Sequence, residues 1–300
     1  MNWVTAAILS AAALSVTNII DSHLLSRRMP SFQSYLLPMG IVYLIFGWIL
    51  AALFPLPQGI APWPVLITVI SSILRTAGIT IMLYTLRSEE VSQVVPVTNT
   101  YPIFVAIMAV PILGESLSYL KWLAIIIVVA GAVMISIKQS PSGATIWLSK
   151  PFIILFGASL LLAGANLTSK YALTYVSFWH LSWFIALCLG AVFLLTSLRP
   201  YAIKQLINLE NKNSTMGLII LAMIFAMAAM TLAFLAMGMG PISLVSAVVS
   251  IRPIFVLILA LILSRISPMS LEWQPGKGML TLRFIATAMI VGGVTIIYLT

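Results

Sequence analysis

SQVVPVTNTYPIFV, running from Ser92 to Val105, lies inside an apolar run that extends from Val91 to Leu113. A run of that length is a candidate membrane span, yet this one carries Gln93, Thr98, Asn99, Thr100 and Tyr101, with prolines at Pro96, Pro102 and Pro111. Polar groups and prolines are tolerated in mid-span only where protein or a water-filled cavity receives the freed backbone groups, so the span is expected to face a cavity. The pattern returns as SLVSAVVSIRPIFV, Ser243 to Val256, in which Pro102-Ile103-Phe104 is matched by Pro253-Ile254-Phe255. The chain therefore reads as two copies of one unit.

Composition points the same way. With 62% hydrophobic and 7% charged residues, the chain falls far from a soluble domain, in which about a quarter of residues are charged. It reads as an all-α membrane protein. The net charge of +9 comes from 15 basic residues strung singly along the chain, a distribution that orients loops at a membrane rather than binding nucleic acid. A single cysteine, Cys188 in an apolar run, offers no disulfide framework or thiolate metal site. Neither cofactor nor metal is expected.

Apolar runs of spanning length occur at 3–20, 35–54, 65–86, 91–113, 119–137, 152–173, 179–198, 217–237, 242–263 and 280–299. They predict ten transmembrane helices joined by short connections, the longest irregular pieces being 21–34, 199–216 and 264–279. The repeat boundary falls between the fifth and sixth spans, giving units 1–140 and 150–300. Five is odd, so the second unit enters from the opposite face, and the fold class becomes two inverted five-helix repeats. Loops after odd-numbered spans hold Arg27, Arg28, Arg87, Lys138, Lys150, Arg199, Lys204, Lys212, Arg265, Lys277 and Arg283, against Lys121 and Lys170 on the other face. The positive-inside rule then places those loops in the cytoplasm and both termini outside, in a multi-pass cell membrane protein such as one of a bacterial inner membrane.

The proline of each repeat's fourth helix (Pro102, Pro253), the Gly114-Glu115 pair, the small pairs Gly131-Ala132 and Gly292-Gly293, and Lys170 ending the sixth span resemble the drug/metabolite transporter superfamily, specifically its EamA-like members. That resemblance implies a secondary carrier of small organic metabolites, often an exporter. The second repeat departs from it, with Arg265-Ile266 where the first has Gly114-Glu115. Members of the family commonly keep both termini in the cytoplasm, opposite to the charge count.

Arg75 and Arg252 fall near the middle of the third and ninth spans. A mid-span arginine costs roughly 2.5–3.5 kcal/mol on insertion scales, so each must face the bundle interior, water or a partner. A guanidinium is a permanently charged fork suited to a carboxylate or phosphate; the plainer role is to bond carbonyls freed by prolines. Gln93, Pro96, Asn99 and Thr100 share one broad helix face, and Ser246 and Ser250, four apart, offer a matching wall on the ninth span. Tyr101 aligns with Arg252. Asn166 lies one turn before Lys170, which as a span-end lysine reads first as a snorkelling anchor. Glu115 is a candidate proton carrier or a partner for Lys121, and Asp21 with His23 reads as a second proton site or as loop residues. Met216, Met223, Met230 and Met237 form a stripe suited to a pocket or to helix packing. Tyr101 and Trp183 are candidates for stacking on a planar substrate.

The leading function is a secondary transporter of a small polar or amphipathic metabolite, with the lipid bilayer as its other partner. Monomer and homodimer both remain open. The sequence holds no P-loop, HExxH or GxSxG, which argues against a nucleotide-driven pump and against an enzyme. The alternative is a non-transporting membrane partner or sensor subunit on the same fold.

Overall fold

The computed structural model describes residues 2–88, 98, 100–136, 150–266 and 277–299, and among them every regular element is a helix. In chain order these are α1 (Trp3–His23), α2 (Phe32–Leu53), α3 (Pro62–Ser88), α4 (Tyr101–Leu113), α5 (Tyr119–Ser136), α6 (Lys150–Ala172), α7 (Phe178–Ser197), α8 (Pro200–Ile207), α9 (Lys212–Met239), α10 (Ile242–Val249), α11 (Arg252–Ile266) and α12 (Lys277–Leu299). Seven apolar segments among the described residues are long enough to cross a membrane, the broken one at Ile242–Leu259 included. Three shorter apolar helices accompany them at Tyr101–Leu113, Tyr119–Met134 and Phe284–Leu299. Gln93, Pro96 and Asn99 lie outside the described residues.

The four most extensive helix interfaces are α2 with α7, α3 with α6, α1 with α9 and α5 with α12. Each joins a helix from the first half of the chain to one from the second. Lipid gives helices no hydrophobic reason to associate, so close approach depends on small residues at the contacts. A Cβ added to Gly190 would lie 2.9 Å from the Gly40 carbonyl, and one on Gly131 would lie 2.8 Å from the Ala286 carbonyl. Serine and threonine hydroxyls bind across the same seams. Ser10 Oγ donates to the Ala229 carbonyl at 2.8 Å, and Thr17 Oγ1 to that of Ala222 at 3.3 Å.

Two stretches expected to be irregular are helical instead. After His23 the chain continues through a π-helical turn, Leu24–Arg28, closed by Met29 N–H donating to the Leu24 carbonyl at 2.8 Å. Within 199–216 the chain forms α8, because Pro200 supplies a preset first-turn φ and Ala202 and Leu206, four apart, bury one face. Gln205 accepts a 2.6 Å bond from Ser31 Oγ, tying α8 to the start of α2.

At the end of the molecule that holds the start of α1, helices from both halves meet directly. Trp3 packs on Gly240, where an added Cβ would approach the indole to 2.7 Å. Phe54 stacks on Trp179 at 4.5 Å, and Trp63 meets Tyr175 edge-on at 4.3 Å. His180 joins the Pro55 carbonyl through Nε2 at 3.1 Å, while its Nδ1 faces the Ser177 N–H. Trp3, Trp63 and Trp179 thus close this end.

Candidate functional site

Arg75 sits on α3 and points toward α6. One guanidinium nitrogen donates to Asn166 Oδ1 at 2.6 Å and comes within 3.5 Å of Ser169 Oγ. Ser169 shares a 2.6 Å bond with Ser71 Oγ, one turn before Arg75 on the same face of α3. The guanidinium lies 5.0 Å from the centre of the Phe234 ring of α9, a cation–π contact. Its Nε is buried without a partner. A guanidinium carries five N–H donors, so much of this one is uncommitted. Among the described residues no carboxylate pairs with it. The arrangement can receive an anionic, planar oxygen pair.

Helices begin at corresponding places in the polar stretch and its later copy. Helix α4 starts at Tyr101-Pro102 and α11 at Arg252-Pro253, so each proline occupies a first turn, where its missing N–H costs nothing. Ser250 and Ile251 form the break between α10 and α11. The ninth span, read from the sequence over 242–263, is therefore two helices that part beside Pro253. Tyr101 Oη reaches within 3.5 Å of the Ser246 carbonyl, bringing the two copies face to face, and lies in electrostatic range of Arg75. Ser246 Oγ is buried and unpartnered, whereas Ser250 Oγ donates back to the Ser246 carbonyl at 3.0 Å. Arg252 has its carbonyl held by Ser15 Oγ at 3.0 Å and its Nε buried without a partner.

Two charged side chains bracket the junction of α9 and α10. Gly114, at φ 67°, ends α4 in the left-handed conformation that favours glycine and turns Glu115 toward α10. The Glu115 carboxylate accepts from Ile242 N–H at 2.5 Å, from Ser243 N–H at 3.3 Å and from Ser243 Oγ. It thus caps a helix whose own N-cap, Pro241, has no side-chain donor or acceptor to offer. Lys170 Nζ donates to the carbonyls of Met237 and Gly240 at 2.6 and 2.9 Å. An anion at the helix start and a cation at the preceding helix end both match the helix dipoles. Lys170 is a cap within the second half, joining α6 to the end of α9, rather than a snorkelling anchor.

The structure therefore brings Arg75, Asn166, Tyr101 and Ser246 into one neighbourhood and adds Ser71, Ser169 and Phe234. The spacing Ser71–Arg75 and Asn166–Ser169, four and three residues, is the signal that could have revealed the serines. Ser250, Thr100 and Pro102 belong to the breaks. Met223, Met227 and Met237 are buried in the core, where they fill packing gaps. Trp183 stacks on its neighbour Phe184 at 3.9 Å. Asp21 lies within the last turn of α1, not in a loop. Two surface concavities of about 430 and 350 Å³, beside 211–214 and around Pro30 and α8, contain none of the cluster.

Apolar membrane-length helices packed half against half, with polar and cationic groups turned into the seam, make this a multi-pass membrane protein. Residues 1–137 match the EamA-like transporter family, in agreement with the resemblance to the drug/metabolite transporter superfamily. A crystal structure of another protein shares the fold at a TM-score of 0.74 and 15% identity, covering 99% of this chain and 96% of that one. No curated protein matches the chain.

Proposed function

We propose that the chain is a secondary carrier of a small organic anion, working by alternating access between inverted repeats spanning 1–140 and 150–300. The observation that carries the substrate class is Arg75: a guanidinium inside the seam, held on one side by Asn166, with Nε unpartnered. Arg252 and the first turns of α4 and α11 add positive character to the seam, since a helix start presents free N–H groups and the positive end of its dipole. Tyr101, Ser246 and Ser250 line the approach, and Thr100, Pro102 and Pro253 hold the breaks open. Gln93, Pro96 and Asn99 belong to the same face of the fourth span by spacing.

Inverted symmetry has support in matched contacts. Gly78 of α3 meets the Ala158 carbonyl of α6, and Ala229 of α9 meets Ser10 of α1. Ser71 bonds the Ala165 carbonyl, as Thr17 bonds that of Ala222. The seam α3–α6 is thus repeated by α9–α1, while α2–α7 and α5–α12 lie on the symmetry axis. Glu115, bonded to Ile242 and Ser243, forms a latch between the halves at the closed end, and its release opens the alternative state. Export as the direction, and the cell membrane as the location, rest on the family resemblance. Proteoliposome counterflow with a panel of carboxylates, phosphate esters and their neutral amides or alcohols tests the reading. Exchange restricted to the anions supports it, and equal exchange of the neutral analogues refutes it.

A further inference from the structure

A second acidic side chain, besides Glu115, lies within the bundle and plays no part in the anion site. Asp21 occupies the last turn of α1, with its carboxyl against the Tyr35 hydroxyl of α2 and within electrostatic range of Tyr43. Tyr35 is fully buried. Asp21 Oδ1 and Tyr35 Oη are both shielded from solvent, and neither meets hydrogen-bond geometry. No other hydrogen-bond partner holds either atom among the described residues.

The groups packed around this carboxyl provide no counter-charge. On α1 itself the next titratable residue is His23, which faces Arg27 and Arg28 of the π-helical turn. From α2 come only the phenols Tyr35 and Tyr43. Helix α9, opposite α1, has no titratable side chain beyond Lys212 at its first residue. Helix α10 has none, and α11 begins with Arg252, whose carbonyl is held by Ser15, six residues before Asp21 on α1, and carries Arg265 near its far end. An ionised carboxylate inside a membrane bundle is costly unless paired, and Asp21 forms no ion pair among the described residues.

We propose that Asp21 is an intramembrane proton-binding site, with Tyr35 as the hydroxyl that adapts to both of its states. A tyrosine hydroxyl donates to a carboxylate or, rotated, accepts from a carboxylic acid. When the proton arrives it forms the O–H bond on Asp21, and when it leaves the charge is met by the Tyr35 O–H; no other bond changes. Position strengthens the assignment. The matched contacts place Asp21 where Ser169 stands in the other seam, beside Arg75, so one seam holds the uncommitted cation and its inverted counterpart holds the uncommitted acid. On the carrier reading, the proton at Asp21 is the coupling ion.

Infrared titration of the detergent-solubilised full chain reads the protonated-carboxyl stretch directly and needs no transported substrate, so its outcome is independent of the anion-site proposal. Wild type is expected to show a titrating band that Asp21→Asn removes and Glu115→Gln retains. Tyr35→Phe, which keeps the ring, shifts the band frequency and the midpoint and covers the case in which Asp21→Asn fails to fold. A band unchanged in both Asp21→Asn and Tyr35→Phe overturns the proposal. So does a midpoint that moves with sodium concentration at fixed ionic strength, which would make the occupant a metal cation.

Discussion

Replacing Glu115 tests the claim that the two halves are latched through a helix start. In Glu115→Ala the N–H groups of Ile242 and Ser243 and the Ser243 hydroxyl lose their acceptor. A buried donor left unpaired costs about 1–3 kcal/mol, and this site is partly buried, so water recovers some of that. Loss of an anion at a helix start adds about 0.3–1 kcal/mol. The sum for Glu115→Ala is about 1–4 kcal/mol. Glu115→Gln keeps one carbonyl oxygen but sets an NH₂ group against N–H donors, and is expected to cost about 1–2 kcal/mol. Ser243→Ala removes one donor of the three and leaves the backbone bonds intact, for about 1 kcal/mol. Denaturant unfolding in detergent, followed by tryptophan fluorescence, gives the order Ala at 115, then Gln at 115, then Ala at 243. Amide exchange at Ile242 and Ser243, read by mass spectrometry, is expected to accelerate in the first two variants only. Wild-type stability in Glu115→Ala, or Ser243→Ala as the worst of the three, refutes the capping argument.

Lys170→Met keeps the aliphatic stem while freeing the Met237 and Gly240 carbonyls; it is expected to destabilise by about 1–3 kcal/mol in the same unfolding assay. Gly131→Ala forces a Cβ to 2.8 Å from the Ala286 carbonyl and is expected to cost about 1–3 kcal/mol, whereas Gly292→Ala enters open space and is neutral or slightly stabilising. Ser10→Ala, which removes a single bond across α1 and α9, is expected to cost only about 0.6 kcal/mol, as measured by unfolding of the reconstituted chain.

How much was legible follows from range. Hydropathy is local, so the apolar helices could be read directly, and Pro102 and Pro253 marked where α4 and α11 begin, because a missing N–H acts on its own turn. Helix α8 was hidden: eight residues with two buried positions, Ala202 and Leu206, give too short a periodic signal, and its docking through Gln205 to Ser31 is non-local. Lys170 illustrates the harder case. At a span end a lysine has two satisfactory destinations, headgroups or carbonyls, and only the approach of the α9 terminus selects the second. Arg75 and Arg252 looked alike as mid-span cations; what separates them is the Asn166, Ser169 and Phe234 setting around Arg75, contributed by α6 and α9.

The central claim is that an organic anion binds at Arg75. Thermal unfolding of purified wild type, Arg75→Lys and Arg75→Gln against the same carboxylate and phosphate-ester panel tests it most directly. Removing one partner of a charge-assisted bond costs about 1.5–3 kcal/mol, so about tenfold or more in affinity is at stake. The account predicts an anion that stabilises wild type, binds more weakly to Arg75→Lys, which keeps the charge but not the planar fork, and weakest to Arg75→Gln. Equal stabilisation of wild type and Arg75→Gln by that anion would contradict it.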